Sequence, residues 1–271
     1  MSLRHIYGIV LRQLYLLRYS SARILSVIVW VGIDIVLWGF ITKYLNTIGG
    51  TGLNFVSLLL GAVLFWDFSA RVTHGVTTPF LEDVWSRNFL SIFASPLTIP
   101  EYLAGLITTS IVTSLIGLLF MLLLAMLAFG LSFFTYGILL IPFLMILFLF
   151  GIAVGIIGIA VVLRFGPAAE WLVWPIPAIL SPFVGVFYPI STLPRWMQLL
   201  SRLLPPSYVF ETMRGMLTVP AGGVSISSGA LLMACGLAAI YVLIACRIFL
   251  SVYRHTVRTG LLARYSAESV G

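Results

Sequence analysis

The sequence is short of charge and almost empty of lysine. Only 8% of its residues are charged against 61% hydrophobic, whereas soluble globular chains carry about 25% charge. That balance excludes an ordinary soluble domain. Lys43 is the single lysine among 15 basic residues, and Tyr44 follows it. A phosphate-binding G-x-x-x-x-G-K-[ST] loop needs a lysine followed by Ser or Thr, so this chain alone is not an ordinary P-loop ATPase. Cysteine is confined to Cys235 and Cys246 in one apolar run. They lie about 16 Å apart along a helix, too far for a disulfide. His5, His74 and His255 are scattered and suggest no metal cluster. No Ser-His-Asp set or pair of carboxylates points to catalysis, so the chain reads as a non-enzyme without a bound cofactor.

What is present is long apolar runs. About 20 apolar residues span a bilayer as a helix, and continuous runs exclude the alternating segments of a β-barrel. Six spans are predicted: Ile24–Thr42, Phe55–Val72, Tyr102–Phe129, Phe133–Leu163, Trp171–Ile190 and Gly229–Leu250. The first carries Asp34 and lacks a small-residue cleavage site, so it is not a signal peptide. With the N-terminus inside, eleven basic residues fall on the inner side and four on the outer. Basic loops stay cytoplasmic. Both termini are therefore expected inside, and the net charge of +7 reflects those loops rather than nucleic-acid binding. The expectation is an all-α membrane protein forming a single transmembrane domain over 1–271. It divides into an interfacial helix (1–23), six spans (24–250) and a cytoplasmic tail (251–271).

Residues 1–20 place Ile6, Ile9, Val10, Leu14 and Leu17 on one helical face and Arg4, Gly8, Arg12, Tyr15, Arg18 and Tyr19 on the other. This pattern suits a helix lying on the inner membrane surface and contacting lipid. In span 4, Gly151-x-x-x-Gly155 and Gly158 allow close helix approach. Span 5 holds Pro175, Pro177, Pro182 and Pro189. Each proline removes a donor and clashes with the preceding turn, so an interruption near Pro175–Pro182 is expected. The outer stretch 194–218 reads as two short amphipathic helices divided by Pro205-Pro206, the second capped by Ser207, with Glu211 and Arg214 one turn apart. These helices either dip into the outer leaflet or form a plain surface cap.

Between spans 2 and 3, residues 82–94 form a predicted short amphipathic helix. Trp85, Phe89, Ile92 and Phe93 line one face, and Glu82 and Asp83 sit at its start, where the macrodipole favours acids. Asp83 and Arg87 are four apart and expected to form an exposed pair. Ser95-Pro96 stops the helix, and Thr98-x-x-Glu101 is a capping-box pattern. A large aromatic face on a short cytoplasmic helix marks a partner site.

Three stretches then resemble one family. They are "SIFASPLTIPEYLAG", "FYPISTLPRWMQLLSRLLPPSYVFETMR" and the amphipathic N-terminal helix. Together with the six-span layout they look like an ABC-2 type permease, the membrane subunit of bacterial ABC exporters. The family pattern commonly has Asn-Pro where this chain has Pro205-Pro206. The resemblance implies that Glu82, Asp83, Trp85, Arg87, Phe89, Ile92 and Phe93 form a coupling helix for an ATP-binding cassette subunit. It also implies two permease copies with two ATPases in a bacterial inner membrane. ATP would be used by the partner subunit, with a substrate path at the dimer interface.

Asp34 lies mid-span, one turn from Trp30 and Trp38. A mid-membrane acid is costly and marks a functional site by default, unless another helix neutralises it. Asp67 and Arg71, four apart, read as a structural pair. Asp34, Trp30 and Trp38, with Pro175, Pro182 and Tyr188 of the broken span 5, are the candidate path residues. The exported substrate is a glycan, a lipid-linked molecule or another amphiphile, since the aromatic residues suit sugars and membrane interfaces alike. A proton-coupled secondary transporter using Asp34 is the alternative, but the inverted repeats it favours are not evident.

Overall fold

The computed structural model describes residues 2–49, 56–86, 95–131, 133–218 and 228–259. Among them the chain is helical and contains no strand. Helix α1 (Leu3–Tyr19) ends at Ser20, whose ψ of 89° leaves the helical region. Helix α2 (Ser21–Gly49) follows at once. A π-helical turn, Val56–Leu60, leads into α3 (Gly61–Trp85), and α4 spans Ile99–Phe129. A 3-10 segment, Phe133–Leu139, precedes α5 (Leu140–Phe165). Short helices α6 (Glu170–Val173) and α7 (Ile176–Val184) come next, then α8 (Arg195–Leu203), α9 (Pro205–Thr218) and α10 (Ser228–Arg258). Three helical stretches, Ile99–Phe129, Tyr136–Phe165 and Gly229–Arg258, are long and apolar enough to cross a membrane.

The core forms where α3 and α5 meet, flanked by α4 and α10. Glycine makes that meeting possible. A Cβ on Gly151 would lie 2.7 Å from the Ser69 carbonyl, and one on Gly155 would lie 2.9 Å from Val76 Cβ. With the backbones this close, hydroxyls bond across the seam. Ser69 Oγ donates to Leu147 O (3.0 Å) and Thr73 Oγ1 to Gly151 O (3.1 Å). The expected small-residue contact is thus realised, with α3 as partner. On the other side of α3, Ser110 Oγ of α4 donates to Val72 O (3.0 Å). Helix α10 lays its stripe of Ala234, Ala238, Ala245 and Phe249 inward.

Two expected boundaries move. The second span does not end near Val72: α3 runs on to Trp85 through Pro79. The helical stripe of Val76, Thr77, Phe80, Leu81 and Val84 stays buried, and burial of that face carries the helix onward. The sixth span likewise continues into the expected tail as far as Arg258.

Span 5 is interrupted as expected. Helix α6 ends at Val173, Trp174-Pro175 turns, α7 resumes at Ile176 and Gly185 stops it at φ +74°. The stretch 194–218 does fold as two short helices. The second begins at Pro205 rather than at a Ser207 cap. Prolines cost nothing in the first turn, where the N–H groups have no partner within the helix. Phe210 of α9 is fully buried and meets Trp66 edge-on at 6.3 Å. Glu211 pairs with Arg214 (3.0 Å), and Arg214 also donates to Gly185 O (2.8 Å), tying α9 to the end of α7.

Candidate functional site

The first functional region is a clamp that holds α1 against the ends of α3 and α4. Ile9 packs over Gly105, where a Cβ would come within 2.7 Å of its side chain. Glu101 accepts the Thr98 backbone N–H at 3.0 Å, so the expected capping box forms. The same carboxylate reaches beyond its helix, accepting the Ser2 N–H and lying 3.0 Å from His5 Nδ1. Midway along α1, Arg12 binds Asp83 through both terminal nitrogens, one of them at 3.0 Å. Tyr102 OH donates to the same carboxylate at 2.7 Å. The bonds to Asp83 push the already high pKa of Arg12 further up, so its guanidinium stays charged.

This geometry corrects two expectations. Glu82, Asp83 and Trp85 belong to the last turn of α3 and do not open a separate helix. Asp83 is 1% exposed and is engaged by Arg12 and Tyr102, so it is not half of an exposed pair with Arg87. Arg12, grouped with the basic face of α1, is half-buried because its guanidinium meets this carboxylate, which needs a cation. Arg87, Phe89, Ile92 and Phe93 lie outside the described residues. Trp85 is 51% exposed, and its indole N–H donates to Glu170 of α6 at 2.7 Å.

The second region is an open-mouthed cavity of about 510 Å³ lined by α1, α2, α3, α4 and the turn after α6. Of the predicted path residues, Asp34 and Trp30 line it, while Trp38, Pro175, Pro182 and Tyr188 do not. Trp38 stacks on Phe187 at 5.0 Å, and Tyr188 OH donates to Pro182 O at 3.0 Å. The cavity gathers residues that sequence reasoning placed apart. Arg71 Nε donates to Asp67 at 2.7 Å, forming the expected pair, and both face the cavity. His74 lines it too, stacked on Trp174 at 4.8 Å. Gln13 of α1 and Ser114 of α4 complete the wall. Residues 67, 71, 74, 78 and 82 recur at helical spacing, a polar stripe on α3 that was legible before the structure.

No curated protein matches the chain. Residues 9–218, which include the Arg12–Asp83 pair, the contact of α3 with α5 and helices α8 and α9, match the family described as ABC-2 type transporter. A match over most of the chain makes it a membrane component of ABC-type transport rather than a catalytic subunit, and the protein belongs to the ABC-2 type transporter family.

Proposed function

We propose that the chain is the permease subunit of an ATP-driven exporter in a bacterial inner membrane. It works as a dimer with two separate ATP-binding cassette subunits. The match of residues 9–218 to the ABC-2 type transporter family carries this reading. The absence of a lysine-bearing phosphate loop from these 271 residues agrees with it. Six crossings with both termini inside follow from the apolar runs and the excess of inner arginines. The ATPase docks on the surface that starts at Trp85 and continues through Phe89, Ile92 and Phe93. A half-exposed tryptophan at the end of a core helix supports that position. Substrate enters through the cavity beside Asp34 and Trp30.

The test is co-purification of the chain with its ATPase, with export measured in parallel. Replacing Trp85, Phe89 and Phe93 together by alanine removes ATPase binding or uncouples hydrolysis from export, since buried aromatic anchors are each worth about 2 kcal/mol or more. Survival of both binding and export in the triple variant refutes the docking surface.

A further inference from the structure

We propose that the cavity between α1, α2, α3 and α4 is the loading site for an amphiphilic organic cation. This rests on the permease reading and gives it a substrate class.

Size comes first. A volume of about 510 Å³ falls in the range of small-molecule binding sites. The exposed walls are mainly apolar, which suits a molecule with a substantial apolar body. A glycan of that size needs polar partners on most sides.

Charge comes second. The wall holds three carboxylates, Asp34, Asp67 and Glu82, against one guanidinium, Arg71. Asp34 and Asp67 alone outnumber that guanidinium. Arg71 is already committed to Asp67 at 2.7 Å. Asp34 has no hydrogen bond or ion pair with any described residue. An ionised carboxylate inside a membrane chain demands a partner, and a bound cation supplies it. An anion entering the same space meets repulsion.

The third observation concerns hydrogen bonding. Gln13 and Ser114 stand in the wall at 2% and 3% exposure, and Gln13 Nε2 and Ser114 Oγ have no partner. Both atoms are shut off from the open space, and because buried polar groups left unpaired are costly, turning these side chains toward an acceptor and a partner on the ligand is favourable. Trp30, one turn from Asp34 and also in the wall, offers an aromatic face. Aromatic faces attract organic cations.

The experiment uses the full chain in phosphatidylcholine nanodiscs and two dyes of similar ring size. Rhodamine 6G is a cation with ester acceptors, and fluorescein is an anion. Fluorescence polarisation gives each affinity. Rhodamine 6G should bind at least about tenfold more tightly than fluorescein. Asp34→Asn should weaken rhodamine 6G by about tenfold, Asp34→Glu should keep its affinity within about threefold, and Trp30→Ala should cost about threefold or more. Equal binding to the native chain and Asp34→Asn overturns the proposal. So does fluorescein binding as tightly as rhodamine 6G, or occupancy by maltoheptaose without any binding of the cation. Co-purification with an ATPase is scored separately. An ATPase that co-purifies while rhodamine 6G fails to bind removes this proposal alone. Binding as expected without any ATPase removes the permease reading and leaves the site.

Discussion

Breaking the Arg12–Asp83 pair should loosen α1 from the bundle by an amount that geometry sets. Removing one partner of a fully buried ion pair costs roughly 3–5 kcal/mol, because the other charge is left stranded. Asp83 is 1% exposed, but the Arg12 side chain is 36% exposed and regains water when released. The stranded charge therefore hurts more in one direction. Arg12→Met abandons a buried carboxylate with only Tyr102 to bind it, at about 3 kcal/mol. Asp83→Leu leaves a guanidinium that turns outward, at about 2 kcal/mol. For a chain of this size each kcal/mol shifts the unfolding midpoint by roughly 2–4 °C, so the single variants fall by roughly 4–12 °C in detergent. The double variant strands nothing and should recover most of the loss, since contacting partners are non-additive. Trypsin cleavage after Arg18 reports the local release of α1 and should speed up in both single variants. Additive losses in the double variant, or unchanged cleavage in Arg12→Met, refute the clamp.

Other outcomes follow from single positions. Gly151→Ala should destabilise by about 1–3 kcal/mol, because its Cβ meets the Ser69 carbonyl, whereas Gly236→Ala meets nothing within 4 Å and should be neutral or stabilising; thermal midpoints compare the two. Gly105→Leu should displace Ile9 and raise the rate of trypsin cleavage on α1, mimicking loss of the ion pair without touching a charge. Trp85→Phe removes the indole donor to Glu170 but keeps an aromatic anchor, so ATPase co-purification should survive it and fail in the triple alanine variant. Cysteines placed at Ser86 and Ser191 should label from the inside and the outside respectively; labelling of Ser86→Cys from outside in intact cells overturns the proposed orientation.

The legible features were those governed by local rules. Helix periodicity gave α1, the Thr98–Glu101 pattern gave the start of α4, the glycines of α5 announced a close neighbour, and four prolines announced the break at Trp174-Pro175. The misread features depended on what lies across space. Arg12 and Asp83 are 71 residues apart, and nothing in either neighbourhood reveals the other. Asp83 instead offered a local explanation, an arginine four residues on, which the buried pairing displaced. The end of α3 was misplaced because an apolar-run count stops at the polar residues His74, Thr77 and Thr78, whereas the helix is continued by its buried stripe. The cavity combined both kinds. Its stripe on α3 could be read, but Gln13 and Ser114 joined it only through the packing of α1 and α4.

The two faces of α3 divide its work. Residues 67, 71, 74, 78 and 82 face the cavity, while Ser69, Val72, Thr73 and Val76 meet the glycines of α5. The second face has no slack. Sliding α3 along α5 breaks the bonds from Ser69 to Leu147 and from Thr73 to Gly151 and drives Val72 and Val76 into glycine backbone. Interiors packed this tightly move as blocks, so α3 and α5 form one body. Helix α3 is about 37 Å long, with Trp85 at one end and Asp67 about two turns from the other. Under the proposed role, a displacement imposed near Trp85 reaches the cavity wall without being absorbed on the way. The walls against which α3 then moves are α1, α2 and α4. Of these, α1 is the one held at that end by an ion pair, Arg12 with Asp83, in place of interlocked backbone. The clamp is therefore where the cavity has room to change shape, and Arg12 is followed directly in the chain by Gln13, which lines that cavity.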